Sequence, residues 1–146
     1  MRDSVIGPQA MLETFLKTLS EELNLAPSFK QDKEQFYAVS LNPELEIKVK
    51  ELDPGLLFFG KAGPCPALKK EELFVYLMKA NFLGQGTGGA SIGFDEIGNC
   101  LTLSLILPYD MNYKLFRDAL EDFVNYIDYW KAELIRHQKT AEQPHF

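Results

Sequence analysis

Histidine, cysteine and tryptophan are scarce in this chain of 146 residues, which has two His, two Cys and one Trp. Cys65 and Cys100 stand far apart, with no C-x-x-C and no histidine beside either. That excludes the usual zinc spacings and a disulfide framework, and both thiols read as reduced packing or loop residues. His137 and His145 fall at the end of the last expected helix and in the tail, where a histidine base has neither a pocket nor a buried orienting partner. Basic charge is also short, with 15 Lys and Arg against 21 Asp and Glu and a formal net charge of −6. Without a concentrated basic surface to release counterions, nucleic acid is not an expected partner, and a basic or apolar protein is favoured. No apolar run approaches the length of a membrane span. The N-terminal Met1-Arg2-Asp3-Ser4-Val5-Ile6-Gly7-Pro8 has an acidic residue and no apolar stretch of signal-peptide length. Neither membrane insertion nor general export is expected, and the cytoplasm is the expected location.

What is present is an ordinary globular balance, with hydrophobic residues at 46% and charged residues at 25%. The length suits a single domain over 1–146, folded from 9 to 139, with flexible ends at 1–8 and 140–146. Residues 9–25 read as an amphipathic helix, with Met11, Leu12, Phe15, Leu16, Leu19 and Leu23 on one face and Pro27 as its stop. Strands are expected at 36–41 and 45–50 around the turn Asn42-Pro43, and Leu45, Ile47 and Val49 alternate with Glu46, Lys48 and Lys50. Asp53-Pro54-Gly55 then leads into Leu56-Leu57-Phe58-Phe59, a short apolar run expected to be a strand covered on both faces, and Gly63-Pro64-Cys65-Pro66 reads as a loop.

The middle helix, expected at 69–83, sets Leu73, Phe74, Val75, Tyr76, Leu77, Met78, Ala80, Phe82 and Leu83 all round its axis. No single sheet face buries such a helix, and in a small domain a second copy of the chain is the natural cover, so a homodimer is expected. Alternation at 90–94 and 101–107 gives a hairpin around Asp95-Glu96-Ile97-Gly98-Asn99. The last helix, from 112 to about 139, puts Phe116, Leu120, Phe123, Ile127, Trp130 and Leu134 in one narrow stripe. The class is α+β, a mainly antiparallel twisted sheet with three helices in the order α-β-β-β-α-β-β-α.

Gly84-Gln85-Gly86-Thr87-Gly88-Gly89 satisfies G-x-G-x-x-G. It follows a helix and precedes a strand, the reverse of the order that brings a pyrophosphate to a helix N-terminus, and it lacks the Lys and Ser/Thr of a P-loop. It reads as a flexible connector. Asp95 and Glu96 at a hairpin tip are turn formers, and with Asp110 they show no calcium-loop spacing. No cofactor, metal or catalytic residue is assigned, and no enzyme is expected. A small nucleotide- or metal-binding α+β enzyme is the competing reading, built on the glycine connector with Asp95 and Glu96. A regulatory protein-binding domain of the same fold is the third.

Leu77 and Ala80-Asn81-Phe82-Leu83 at the end of the middle helix, then Thr87-Gly88-Gly89-Ala90, Ile92-Gly93-Phe94-Asp95, the leucine strand from Leu101 to Leu107 and Trp130 resemble the class I type III secretion chaperones, the CesT and SycE-like family. The resemblance covers residues 9–139; the Pro64-Cys65-Pro66 loop and the segment ahead of the first helix fall outside its pattern. It implies a bacterial cytoplasmic homodimer that holds the N-terminal segment of a secreted effector soluble and secretion-competent without hydrolysing ATP, with secretion-apparatus components as further partners. The dimer interface it implies is Phe74, Leu77, Ala80, Phe82, Leu83, Ile92 and Leu101. The partner-binding residues it implies are Leu12, Phe15, Leu16, Leu19, Phe36, Val39 and Ile47, used through helix-in-groove docking and strand addition.

Overall fold

In the computed structural model, which describes residues 8–25, 30–95, 97 and 99–143, helix α1 (Pro8–Leu23) closes on Asn24 in the left-handed region, with φ 54°. The Leu25 N–H then turns back to Ser20 O at 2.9 Å. Asn takes this conformation at low cost and ends helices through it. The helix thus ends at Leu23 on the Asn24 turn; Pro27, the expected stop, lies outside the described residues.

Strands β1 (Tyr37–Asn42), β2 (Leu45–Leu52) and β3 (Gly55–Pro64) follow, then α2 (Lys70–Asn81) and a 3-10 turn at Phe82–Gly84. Strands β4 (Ser91–Phe94) and β5 (Cys100–Leu107) and helix α3 (Tyr113–Glu142) complete the expected order. The five strands form one sheet in the order β1-β2-β3-β5-β4, with β1–β2 and β4–β5 paired antiparallel. Gly55 has φ +108°, and a Cβ there would fall 1.9 Å from Leu107 O, so both the turn and the close strand approach require glycine.

The chain divides into two compact units. Unit one comprises Met1–Phe59 and Ile106–Glu121. Its core joins Leu12, Leu16 and Leu19 of α1 to Val39, Ile47 and Val49, with Phe58 and Phe116 fully enclosed. Phe116 lies 5.2 Å from Phe15 and 6.0 Å from Phe58 between ring centroids, pairs worth about 0.5–1.5 kcal/mol each beyond their buried area. Burial alternates along β2 as the sequence expects, with Leu45, Ile47 and Val49 inside and Glu46 exposed.

Unit two comprises Gly60–Leu105 and Asp122–Phe146. Leu73 and Leu77 of α2, Leu101 and Leu103 of β5, and Phe123, Ile127, Trp130 and Leu134 of α3 are the large side chains of its core. Each full burial contributes about 1.5–3 kcal/mol.

Two expectations are corrected, and the position of His137 is defined. In β3, Leu56 and Phe58 are buried while Leu57 and Phe59 remain half-buried, so the strand is fully covered on one face only, and it runs on to Pro64. Residues 140–142, expected to be flexible, continue α3, where Gln138 Nε2 donates to Glu142 Oε1 at 2.6 Å; residues 144–146 lie outside the described residues. His137 is half-buried, and its Nε2 lies 3.1 Å from Leu68 O, an acceptor, so this nitrogen carries the proton. His145 lies outside the described residues.

Candidate functional site

Helix α2 is amphipathic in its packing although not in its composition. Leu73 and Leu77, four residues apart on one face, are buried, and the other large apolar side chains are not. Met78 is 74% exposed, Phe82 62% and Leu83 80%. Phe74 and Phe94 are also exposed, and their rings meet edge-on at 5.5 Å, which joins this flank of α2 to strand β4. Asn81 Oδ1 accepts the Ile92 N–H at 3.0 Å and fixes the end of the helix to the strand. Leu83 has φ 53°, a region in which a bulky residue is an outlier, and the backbone there holds the side chain out into solvent.

Of the residues expected at a dimer interface, Phe74, Phe82 and Leu83 belong to this patch. Ala80 and Ile92 are half-buried, and Leu77 and Leu101 lie in the core of unit two. Met78 and Phe94 join the patch without having been assigned to it. For Met78 the signal was its place four residues after Phe74.

The glycine connector is turned inward. The N–H groups of Gln85, Gly86, Thr87, Gly89 and Ala90 donate to Phe82, Ala80, Gly84, Gly84 and Thr87 carbonyls. Trp130 Nε1–H donates to Gly86 O at 3.0 Å, and a Cβ at Gly88 would lie 2.3 Å from the Tyr126 ring. A phosphate cradle needs such N–H groups pointing at the ligand, and these are spent on the loop itself. Beside it Tyr76 OH donates to Glu133 Oε1 at 2.6 Å, and the Arg136 guanidinium, bonded to the same carboxylate, holds Glu133 below the usual carboxylate range. Among the described residues no three His, Cys, Asp or Glu side chains group as metal ligands. Lys61 forms an ion pair with Asp95 at 2.8 Å.

In unit one, Leu12, Phe15, Leu16, Leu19, Val39 and Ile47 lie in the core. Phe36 is half-buried, with Lys50 Nζ 5.5 Å from its ring centre. The apolar face of α1 is thus closed by the chain's own sheet. β1 is an edge strand, and Ala38 and Ser40 on it are exposed. Glu51 Oε1 accepts the Leu12 N–H at 2.9 Å, while its Oε2 is buried without a hydrogen-bond partner. Burial raises the Glu51 pKa, and the carboxylates of Glu13 and Asp110 add to the shift. Tyr37 OH donates to Glu13 Oε1 at 2.9 Å, and burial with that bond pushes its pKa up to about 12.

No helix among the described residues is long and apolar enough to cross a membrane. The sequence model of the Tir chaperone protein (CesT) family matches residues 14–131. Three solved structures share the fold. The ExsC–ExsE complex matches with a TM-score of 0.71 at 17% identity, covering 86% of this chain and 94% of that one. The HopA1–SchA chaperone–effector complex gives 0.64 at 14% identity, covering 84% and 94%. The Yersinia pestis type III secretion chaperone SycH, in complex with a stable fragment of YscM2, gives 0.59 at 15% identity, covering 79% and 95%.

Proposed function

Because the chain belongs to the Tir chaperone protein (CesT) family, we propose that it is a type III secretion chaperone, working as a cytoplasmic homodimer that binds the N-terminal segment of a secreted effector and performs no covalent chemistry. The observation that carries the dimer is the exposed flank of α2 with β4, where Phe74, Met78, Phe82, Leu83 and Phe94 stand in water in the single chain. A contiguous apolar patch of this kind marks an interaction surface, and its self-complementary use by two copies gives a closed dimer.

For the effector, the reading favours β1. Past Tyr37, whose outer side is already bridged by Gln31, the edge strand offers outward backbone groups to an added strand, and Phe36 beside it gives a half-buried aromatic contact. Leu12, Phe15, Leu16, Leu19, Val39 and Ile47 act beneath that edge as the packed layer that holds β1 and α1 in place. An effector segment that is extended before binding suits this mode, since its backbone bonds form on the sheet.

The test has two parts. Size-exclusion chromatography with light scattering should give twice the chain mass at micromolar concentration, and a stable monomer counts against the dimer. Pulldown of secreted proteins from the same cells should fail once about their first hundred residues are removed, and retained capture contradicts N-terminal recognition.

A further inference from the structure

In unit two, β4 is an edge of the sheet, with β5 on its inner side. A strand turns its backbone groups alternately to either side, and two bonds fix the sense here. Asp95 N–H, just past the strand, donates inward to Cys100 O at 2.9 Å, while Ile92 N–H donates outward to Asn81 Oδ1 at 3.0 Å. The outward groups of β4 are therefore those of Ile92 and Phe94. We propose that Asn81 is an edge guard, whose side chain closes β4 to an added strand, so that copies meeting at the α2 flank join through side chains and not as one continuous sheet.

Asn81 stands at the cap position of the 3-10 turn Phe82–Gly84, where an asparagine side chain ordinarily bonds the next N–H groups, and it makes no such bond. Its side chain crosses to β4 instead. There the Oδ1 occupies the place that the carbonyl of a paired strand would take against Ile92 N–H, so a new strand must displace it to bond. Only two of the four residues of β4 face outward, and one guard removes half of the outward donors.

This edge is one that invites pairing. Gly93 lies between the two outward residues, and a glycine in a strand leaves register weakly specified. Phe94 at its end and Phe82 and Leu83 after α2 are exposed. An exposed apolar edge is a template for another chain, and a flank that gathers copies gathers their edges as well. Strand β1 has a comparable device at one place, where Asp32 Oδ1 accepts Phe36 N–H at 3.0 Å and Asp32 N–H donates to Phe36 O at 2.9 Å. That device covers the entrance of β1 and leaves Ala38 and Ser40 exposed beyond it. The guard on β4 stands on its own geometry; its consequence for two copies rests on the dimer proposed above.

Amide hydrogen exchange of the full chain, read residue by residue by nuclear magnetic resonance, tests the guard. Asn81→Ala should speed exchange at Ile92 about tenfold, the worth of one exposed hydrogen bond, and leave Gly93 and Asp95, which face β5, unchanged. Asn81→Asp retains an acceptor and should retain the native rate. With the edge opened, Phe94 in Asn81→Ala should become protected as the protein concentration rises, to about tenfold below the native chain at the same concentration. Adding Ile92→Pro, which removes the outward N–H and is tolerated on an edge, should abolish that protection. An Ile92 rate that Asn81→Ala does not change, or a Phe94 rate equal in the variant and the native chain at every concentration, overturns the proposal. The dimer fails separately, by sedimentation of the native chain as a monomer throughout, and the guard is then still judged by Ile92 and Phe94.

Discussion

Trp130 donates its indole N–H to the carbonyl of Gly86 across 3.0 Å, so a fully enclosed side chain of α3 anchors the glycine connector that leaves α2. The connector's own N–H groups close on carbonyls between Phe82 and Thr87 or on Ala80. A segment that resembles a nucleotide loop in sequence is, in the fold, a packed corner beneath the exposed flank of α2.

Trp130→Phe keeps most of the ring volume and leaves Gly86 O without its donor. It should cost about 1–3 kcal/mol, from the lost contacts of a buried ring and a half-buried carbonyl left without its donor, read as a lower denaturation midpoint at unchanged slope. Gly86→Ala should destabilise as well, because its Cβ would lie 2.8 Å from the Ala80 Cβ. Neither variant should gain or lose a thermal shift with ATP, GTP, NAD, Mg²⁺ or Ca²⁺, and a wild-type shift that these changes abolish would revive the nucleotide reading.

Met78→Glu with Leu83→Glu should convert the proposed dimer to a folded monomer. Both side chains are largely exposed in the single chain, so the core is untouched and helical circular dichroism should persist. Losing two apolar burials on each copy, four in all at about 1.5–3 kcal/mol each, weakens association by ~10⁴–10⁹-fold. Sedimentation at several concentrations checks this, and a double variant that remains dimeric moves the interface elsewhere.

The alternation of Leu45, Ile47 and Val49, the stripe from Phe116 to Leu134 and the order of elements were legible because each is a periodicity, and periodicity follows from backbone geometry. What covers an apolar face is not periodic. Leu12 and Leu16 form the same pattern whether a partner or the chain's own β-sheet lies against them, and the structure places the sheet there. The composition of α2 shows more apolar surface than one face can bury, but not which flank stays bare; that depends on Leu73 and Leu77 facing inward and on the left-handed turn at Leu83, a residue type that does not announce such a conformation.

Glu51→Gln should raise the melting temperature at neutral pH. The folded-state pKa of Glu51 is raised by burial and by neighbouring Glu13 and Asp110, so its favourable contribution is full below the ordinary carboxylate pKa and is lost as pH rises through the folded value. At pH 7 the buried charge is a cost, which glutamine removes while its carbonyl still accepts from Leu12 N–H. The advantage of the variant should vanish as the pH falls below the carboxylate range. A lower melting temperature at pH 7 would mean that the anion itself anchors α1.

Tyr37 and Tyr113 join α1 to β1 and to the start of α3 through bonds to Glu13 and Glu22, and burial followed by these bonds pushes each pKa up to about 12. A tyrosine with a raised folded-state pKa stabilises fully below its unfolded pKa of about 10 and loses that contribution as the pH climbs through the folded value. Stability should therefore stay level to about pH 10 and fall between about 10 and 12, with the late phenolate absorbance at 295 nm appearing alongside the loss of near-ultraviolet circular dichroism. Tyr37→Phe should remove part of this alkaline decline and lower stability at neutral pH by about 0.5–1.5 kcal/mol, since Glu13 is exposed and regains water in place of the phenol. An alkaline profile identical to that of the parent would show that the phenol of Tyr37 ionises without straining the junction of α1 and β1.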